Sequence, residues 1–309
     1  MPRIARNLTN LKNVPLPTMH QTFLFTPSRG HGRTGMEPGD AAHRAFGAEC
    51  TDITEEGRPL LRALANGEFE LHYQAQYDCL SRRLIGVEAL LRWRHPVHGL
   101  RVPGEFMGAA ERSGAIRHLD AWALRTACSQ MRLWQDLQLA PPLVAVNQSA
   151  AQFARPDLVD FVAEVLRETG LAADRLELEI VERALLDPVH AAPTMRRLRA
   201  LGVRLAIDDF GTGYSSLGYL SRYPVNRLKI DRCFVSRMGR DRTSVAITDA
   251  VVALGISLGL DVVAEGVETE DQLEHLRLHL CPAAQGWLFG QPQPAPAFAA
   301  LLRRERQRR

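Results

Sequence analysis

Apolar and polar positions along this chain follow two periods in turn. Residues 84–88, 143–147, 176–179, 204–209, 228–231 and 261–265 are short, largely apolar runs that read as strands, because near-continuous apolar sequence of this length suits a strand buried on both faces. Residues 117–137, 158–169, 191–201 and 244–258 instead place apolar residues three and four apart, the spacing of amphipathic helices. Strands alternating with such helices form right-handed βαβ units and a mainly parallel sheet. The alternation begins near Pro59 and ends at about Leu302, close to the roughly 250 residues of a closed (β/α)8 barrel. No glycine-rich dinucleotide loop follows the first strand, which disfavours an open doubly wound sheet. The expectation is an α/β, TIM-like barrel with its site at the C-terminal ends of the strands.

Residues 1–56 show neither period and are rich in Gly, Pro, Arg and His, so they read as a flexible extension of a domain spanning 57–302. Residues 303–309 read as a basic tail with five arginines against one glutamate, which accounts for the net charge of +3 and leaves the body near neutral. A near-neutral body argues against DNA or RNA polymers as partners, since such domains carry a basic stripe. The five cysteines, Cys50, Cys79, Cys128, Cys233 and Cys281, are odd in number and form no CxxC pair. They fit a reducing, cytoplasmic compartment and offer no zinc framework. No apolar run approaches the roughly 18 residues of a membrane span, and residues 1–26 hold no signal-peptide core.

The polar residues at the strand ends carry the chemistry. Glu88, Asn147, Glu179, Asp208 and Asp209 offer only oxygen atoms as ligands, and oxygen-only sites select hard cations over zinc and copper. Neighbouring residues on a strand point apart unless the chain turns; the run Phe210-Gly211-Thr212-Gly213 after Asp208-Asp209 supplies a turn. So many like charges repel unless divalent cations lie among them, which points to two metal ions, a device that suits phosphate ester hydrolysis. The chain has 38 Lys and Arg of which two, Lys12 and Lys229, are lysines. A chain that writes 36 cations as arginine and keeps Lys229 at a strand end needs a compact ammonium there.

Weaker features have plain readings. Asp208-Asp209 alone could cap a turn, Lys229 could pair with Asp231, and Glu265 and Glu268 could open a helix. His275 and His279 lie one helical turn apart without a third ligand in the sequence, and His95 and His98 flank a turn, so neither pair is read as a metal site. Gly211-Thr212-Gly213 lacks the ending of a phosphate-binding loop.

Glu88-Ala89-Leu90, followed by Leu91-Arg92-Trp93, resembles the signature of the EAL domain, the bacterial phosphodiesterase that opens cyclic di-GMP. The resemblance covers roughly residues 58–302 and extends over Val146-Asn147-Gln148-Ser149-Ala150, residues 177–182, 208–217, 228–231 and 264–269, and Gln285-Gly286-Trp287. It implies a barrel with one antiparallel strand near its start and hydrolysis of cyclic di-GMP to linear pGpG in biofilm and motility signalling. It also implies two divalent cations, Mg²⁺ or Mn²⁺, held by Glu88, Asn147, Glu179, Asp208, Asp209 and Glu265. Lys229, Glu265 and Glu88 are then catalytic, and Gln74, Leu90, Arg92, Asp231 and Gln285 bind or support the substrate. Glu182 anchors the 209–217 turn, which in this family couples the metal site to a homodimer interface. Ala75, Val181 and Gln148 stand where the family usually has Pro, Thr and Leu, and none of these changes removes a ligand. The alternatives are a non-catalytic cyclic di-GMP receptor and a protein-interaction module.

Overall fold

A computed structural model describes residues 53–212, 220 and 222–307. Residues 1–52 of the extension expected over 1–56, most of the 209–217 turn and the last two arginines lie outside these residues. The described chain holds strands β1 (Phe69–Asp78), β2 (Leu84–His95), β3 (Gly99–Arg101), β4 (Val144–Gln148), β5 (Leu176–Val181), β6 (Arg204–Phe210), β7 (Arg227–Ile230), β8 (Asp261–Ala264), β9 (Ala283–Ala284) and β10 (Gln293–Pro294). Its helices are α1 (Arg58–Ala65), α2 (Met107–Ser113), α3 (Ile116–Asp136), α4 (Ala150–Phe153), α5 (Leu158–Thr169), α6 (Pro188–Ala200), α7 (Arg232–Val235), α8 (Arg242–Ser257), α9 (Glu270–Leu278) and α10 (Ala295–Gln307).

Eight strands close a ring in the order β1-β2-β4-β5-β6-β7-β8-β9 and back to β1, with β3 and β10 as additions at its rim. Pairing is parallel from β2 through β9, while β1 runs antiparallel to both β2 and β9. The barrel and its one antiparallel strand near the start are thus as expected. β5 and β7 are buried along almost their whole length, since one face meets the barrel interior and the other the helical layer.

Helix α3 shows how the outer layer seals. Ile116, Leu119, Ala123, Leu124, Ala127, Cys128, Met131 and Trp134 are buried on one face, three or four residues apart as an amphipathic helix requires. Trp134 meets Tyr73 of β1 edge-on at 4.8 Å and Phe298 of α10 at 5.5 Å. A smaller cluster, with Phe69 stacked on Trp93 at 5.5 Å and Phe106, Leu60 and Ile116 around them, sits where the β1–β2 hairpin leaves the ring. The segment before α1 packs there as well, with Thr54 N–H donating to Ser113 O at 3.2 Å. Arg303 to Gln307, expected as tail, continue α10. Among the described residues no helix is long and apolar enough to cross a membrane.

Candidate active site at the barrel mouth

Side chains that point into the ring are stacked in layers, two residues apart along each strand. On alternate strands of the ring, β2, β5 and β7, an upper layer holds Glu88, Glu179 and Lys229 and a lower layer holds Gly86, Glu177 and Arg227. The antiparallel β1 reverses the order, with Gln74 above and Gln76 below.

Lys229 is the hub of the upper layer. Its buried ammonium lies 2.6 Å from Glu265 Oε1, 2.8 Å from Glu179 Oε2, 3.0 Å from Asp208 Oδ1 and 3.7 Å from Glu88 Oε1. Burial alone would favour the neutral amine, but these four acids hold the lysine pKa well above its ordinary value. The plain alternative reading, in which Lys229 pairs with Asp231, gives way to four other carboxylates.

Around this hub, amides fix Glu88. Gln285 Nε2 donates to Glu88 Oε2 at 2.5 Å and to Gln74 Oε1 at 3.0 Å, while Asn147 Nδ2 donates to Glu88 Oε1 at 2.7 Å. Gln74 in turn donates to Gly290 O at 3.0 Å. Burial opposes ionisation of Glu88, yet Lys229 and then these amides keep its carboxyl below the usual range. Gln285 reaches this position because the next residue has no side chain. A Cβ on Gly286 would lie 2.1 Å from Val267 O.

The other acids are pushed the opposite way. Burial, followed by Glu88, drives Glu179 well above the usual carboxylate range. Glu265 is pushed up to about 8 by burial against the help of Lys229. Asp209 is pushed up to about 7 by burial and by Asp208, and it is hydrogen-bonded to Asp231. Asp231 caps α7 by accepting from Cys233 N–H at 2.7 Å, and these bonds hold it low despite burial.

Asp209 adopts φ +55° within a register shift of β6 against β7, a left-handed conformation that Asp tolerates better than most residues. The turn suggested by Phe210-Gly211 thus starts one residue earlier, at Asp209 itself. Thr212 N–H and Oγ1–H donate to Asp209 O at 3.2 and 2.8 Å. Glu182 is buried and accepts from Gly211 N–H at 3.1 Å. Val181 before it offers no hydroxyl.

One positional expectation is corrected. Glu88 is not the end of a strand but the fifth residue of the twelve in β2. Pairing with β4 covers only Val87 to Ala89, after which β2 leaves the ring as a hairpin with β1 and β3. Glu88 is at the rim because the ring ends there, not because the strand does. Leu90 and Arg92 continue along the same face of β2 above the rim. Arg92 is buried and donates to Leu91 O at 2.8 Å, and burial lowers its pKa although Glu88 and Glu70 oppose this. The weak histidine pair at the β2–β3 turn is occupied by backbone, since His95 Nδ1 accepts from Val97 and His98 N–H. Glu265 and Glu268 precede α9, whose cap is Thr269.

The donor set suits divalent cations on the structure's own terms. Glu179 Oε1 and Oε2, Asp208 Oδ1 and Glu265 Oε1 are shut off from water and, Lys229 apart, meet no hydrogen-bond partner among the described residues. One ammonium faces four carboxylates, so buried negative charge remains for a hard, oxygen-seeking ion to offset.

Residues 58–292 match the EAL domain family. The chain belongs to that family. It is 47% identical over 276 residues to the bifunctional diguanylate cyclase/cyclic di-GMP phosphodiesterase MucR of Pseudomonas aeruginosa, covering 89% of this chain and 40% of MucR. It is 46% identical over 248 residues to cyclic di-GMP phosphodiesterase NbdA of the same organism, covering 79% of this chain and 31% of NbdA. This EAL chain therefore spans less than half the length of either relative. A solved structure of the PaMucR phosphodiesterase in complex with c-di-GMP superimposes with a TM-score of 0.76 at 46% identity, over 79% of this chain and all of that one. The EAL enzyme Bd1971, in its cAMP- and cyclic-di-GMP-bound form, does so with a TM-score of 0.76 at 32% identity, over 80% and 68% of the two chains. Family membership implies the use of divalent metal in general.

Proposed function

We propose that this EAL protein is a metal-dependent phosphodiesterase that opens one phosphodiester bond of cyclic di-GMP to give linear pGpG. The observation that carries the reading is the convergence of Glu88, Glu179, Asp208 and Glu265 on the buried ammonium of Lys229. Glu88, Asn147, Glu179 and Asp208 would hold one Mg²⁺ or Mn²⁺, and Asp208, Asp209 and Glu265 a second. When bound, such cations polarise the attacking water and neutralise charge that develops on the phosphate.

The protein groups do the rest. Lys229 stays protonated and presents a compact positive charge beside the reacting oxygens. Gln285 and Asn147 hold Glu88 in one orientation by donating to both of its oxygens. Arg92 clamps a substrate phosphate, Gln74 borders a guanine, Leu90 contributes to the substrate-binding face, and Asp231 takes up the hydrogen bond of Asp209. Glu182 positions the turn that carries Asp209. We place the domain within 57–302, working as a homodimer in the cytoplasm.

The test is turnover of cyclic di-GMP by the purified chain with Mg²⁺ or Mn²⁺, with and without chelator, following pGpG by chromatography. Metal-dependent appearance of pGpG is the expected result. Nucleotide binding without any hydrolysis under either metal would replace this reading with that of a receptor.

A further inference from the structure

We propose that Asp249, His275 and His279 form a second metal site, a surface clamp for a divalent transition ion of the zinc class, in the helical layer away from the acidic mouth. The sequence offered a pair of histidines without a third ligand; the fold supplies one from 26 residues earlier. Asp249 stands on α8, His275 on α9, and His279 is the residue that ends α9. One ligand atom from each residue lies within 4.8 Å of the other two. His275 Nε2 is 2.8 Å from Asp249 Oδ1, and His279 Nε2 is 3.6 Å from Asp249 Oδ2.

These separations bracket the edge of a tetrahedron drawn at zinc–ligand distances of about 2.0–2.1 Å, which is about 3.3–3.4 Å. His279 Nδ1 lies 2.9 Å from His275 O, which can only accept, so Nδ1 carries the proton. In the neutral ring the lone pair is then on Nε2, facing a carboxylate oxygen that also offers only lone pairs. Two acceptors face each other comfortably only with a cation between them. A backbone carbonyl that fixes the tautomer of a ligating histidine is the usual outer support of a metal site. Without an ion the His275–Asp249 contact is an ordinary N–H···O hydrogen bond, whereas the approach of His279 to the second carboxylate oxygen at 3.6 Å has no such bond to close it, and the two rings, stacked at 4.1 Å with 22° between planes, present both nitrogens to the one carboxylate.

The donor chemistry separates this site from the barrel mouth. Two imidazoles and one carboxylate favour zinc, nickel or copper, whereas the mouth offers carboxylates and amides that suit magnesium or manganese. His279 is exposed and Asp249 and His275 are half-buried, so water can complete the coordination. Arg277, on the same helix as His275, is ion-paired to Glu274 at 3.1 Å. Because α8 leads into β8 and α9 follows it, an ion here would tie together the helices on both sides of that strand.

The full chain, saturated with Mg²⁺, is titrated with Zn²⁺ by calorimetry beside His279→Ala and Asp249→Asn, and thermal unfolding is followed with and without Zn²⁺. Wild type should bind about one Zn²⁺ more per chain than either variant, whose affinity at this site should fall at least about tenfold. Its unfolding midpoint should rise with Zn²⁺ while theirs does not. Mg²⁺-dependent turnover of cyclic di-GMP should be unchanged in both variants, so a failure here is separable from a failure at the mouth. Equal Zn²⁺ stoichiometry and equal thermal shifts in all three proteins would overturn the proposal.

Discussion

The two ends of the barrel interior are built from the same strands with opposite charge balance. At the lower end Glu177 of β5 meets Arg227 of β7 at 2.6 Å, Arg204 of β6 approaches Glu177 at 3.4 Å and Asp261 at 2.7 Å, and Gln76 accepts from Arg227 at 3.3 Å. Two carboxylates face two guanidiniums, and nothing is left over for an ion. Two residues further along β5 and β7, Glu179 and Lys229 belong to a cluster in which one ammonium serves four carboxylates. The lower end is an ionic plug with its charges matched, and the upper end is the proposed site. A buried acid is structural or functional according to how many cations the neighbouring strands supply, not according to its own sequence context.

The comparison breaks most sharply at Arg227. Removing one member of a buried pair leaves an uncompensated charge and costs about 3–5 kcal/mol, while replacing both members with apolar residues is often neutral. Arg227→Met should therefore lose stability in chemical denaturation, by less than that full amount because Arg204 still faces Glu177 at 3.4 Å, and Arg227→Met with Glu177→Leu should recover most of it. Turnover per folded molecule should stay near wild type in both. If the double variant is as unstable as the single, the plug holds the fold in some way other than charge pairing.

At the upper end the same kind of change should act in reverse. Glu88→Gln removes one charge from an over-acidic cluster, so unfolding should shift little or upward, while turnover drops at least about a hundredfold because a neutral amide is a poor partner for a divalent cation. Near-native rates with Mg²⁺ would remove Glu88 from the reaction.

How far the sequence reveals this contrast depends on the residue. Lys229 stands out because it is one of two lysines among 38 basic residues, whereas Arg227, one of 36 arginines, does not. Glu177 and Glu179 look alike in the run Leu-Glu-Leu-Glu; only the facing strand separates them, since Glu177 meets Arg227 and Glu179 meets Lys229. The barrel itself is legible from the βα alternation, but the reversal of β1 is not. A strand of ten residues buried nearly throughout has no polarity mark for direction, and that expectation came from family resemblance alone. Asp249 escaped notice because its histidines are 26 and 30 residues away and meet it only across a helix pair.

A smaller effect is expected at the turn between the two behaviours. Glu182 ligates nothing in the proposed arrangement, yet it accepts from Gly211 N–H, whose φ of +95° few other residues adopt, two residues beyond Asp209. Letting that turn drift by about 1 Å can cost up to about a hundredfold in rate. Glu182→Ala should lower kcat about ten- to a hundredfold and raise the metal concentration for half-maximal rate, and Glu182→Gln should restore part of both. Unchanged kcat and metal dependence would show that the turn keeps its shape without this carboxylate.

The smallest effect, and the one that reports on charge balance directly, is the pH dependence of stability without metal. Glu265, raised from 4.5 to about 8, and Asp209, raised from 3.8 to about 7, hold protons in the folded chain over a range where the unfolded chain has lost them. The unfolded state then binds fewer protons than the folded state, so stability falls as pH rises from about 4 to about 8. Glu88 and Asp231, whose pKa values are lowered, act in the opposite sense but only in the acid range below their ordinary values. In chelator the unfolding midpoint should decline toward pH 8, and saturating Mg²⁺ should flatten the decline because a cation takes the place of the protons. Apparent metal affinity should rise over the same interval for the same reason. A profile that is already flat without metal would mean that Lys229 alone balances the mouth, and the contrast between the two ends would reduce to one of position.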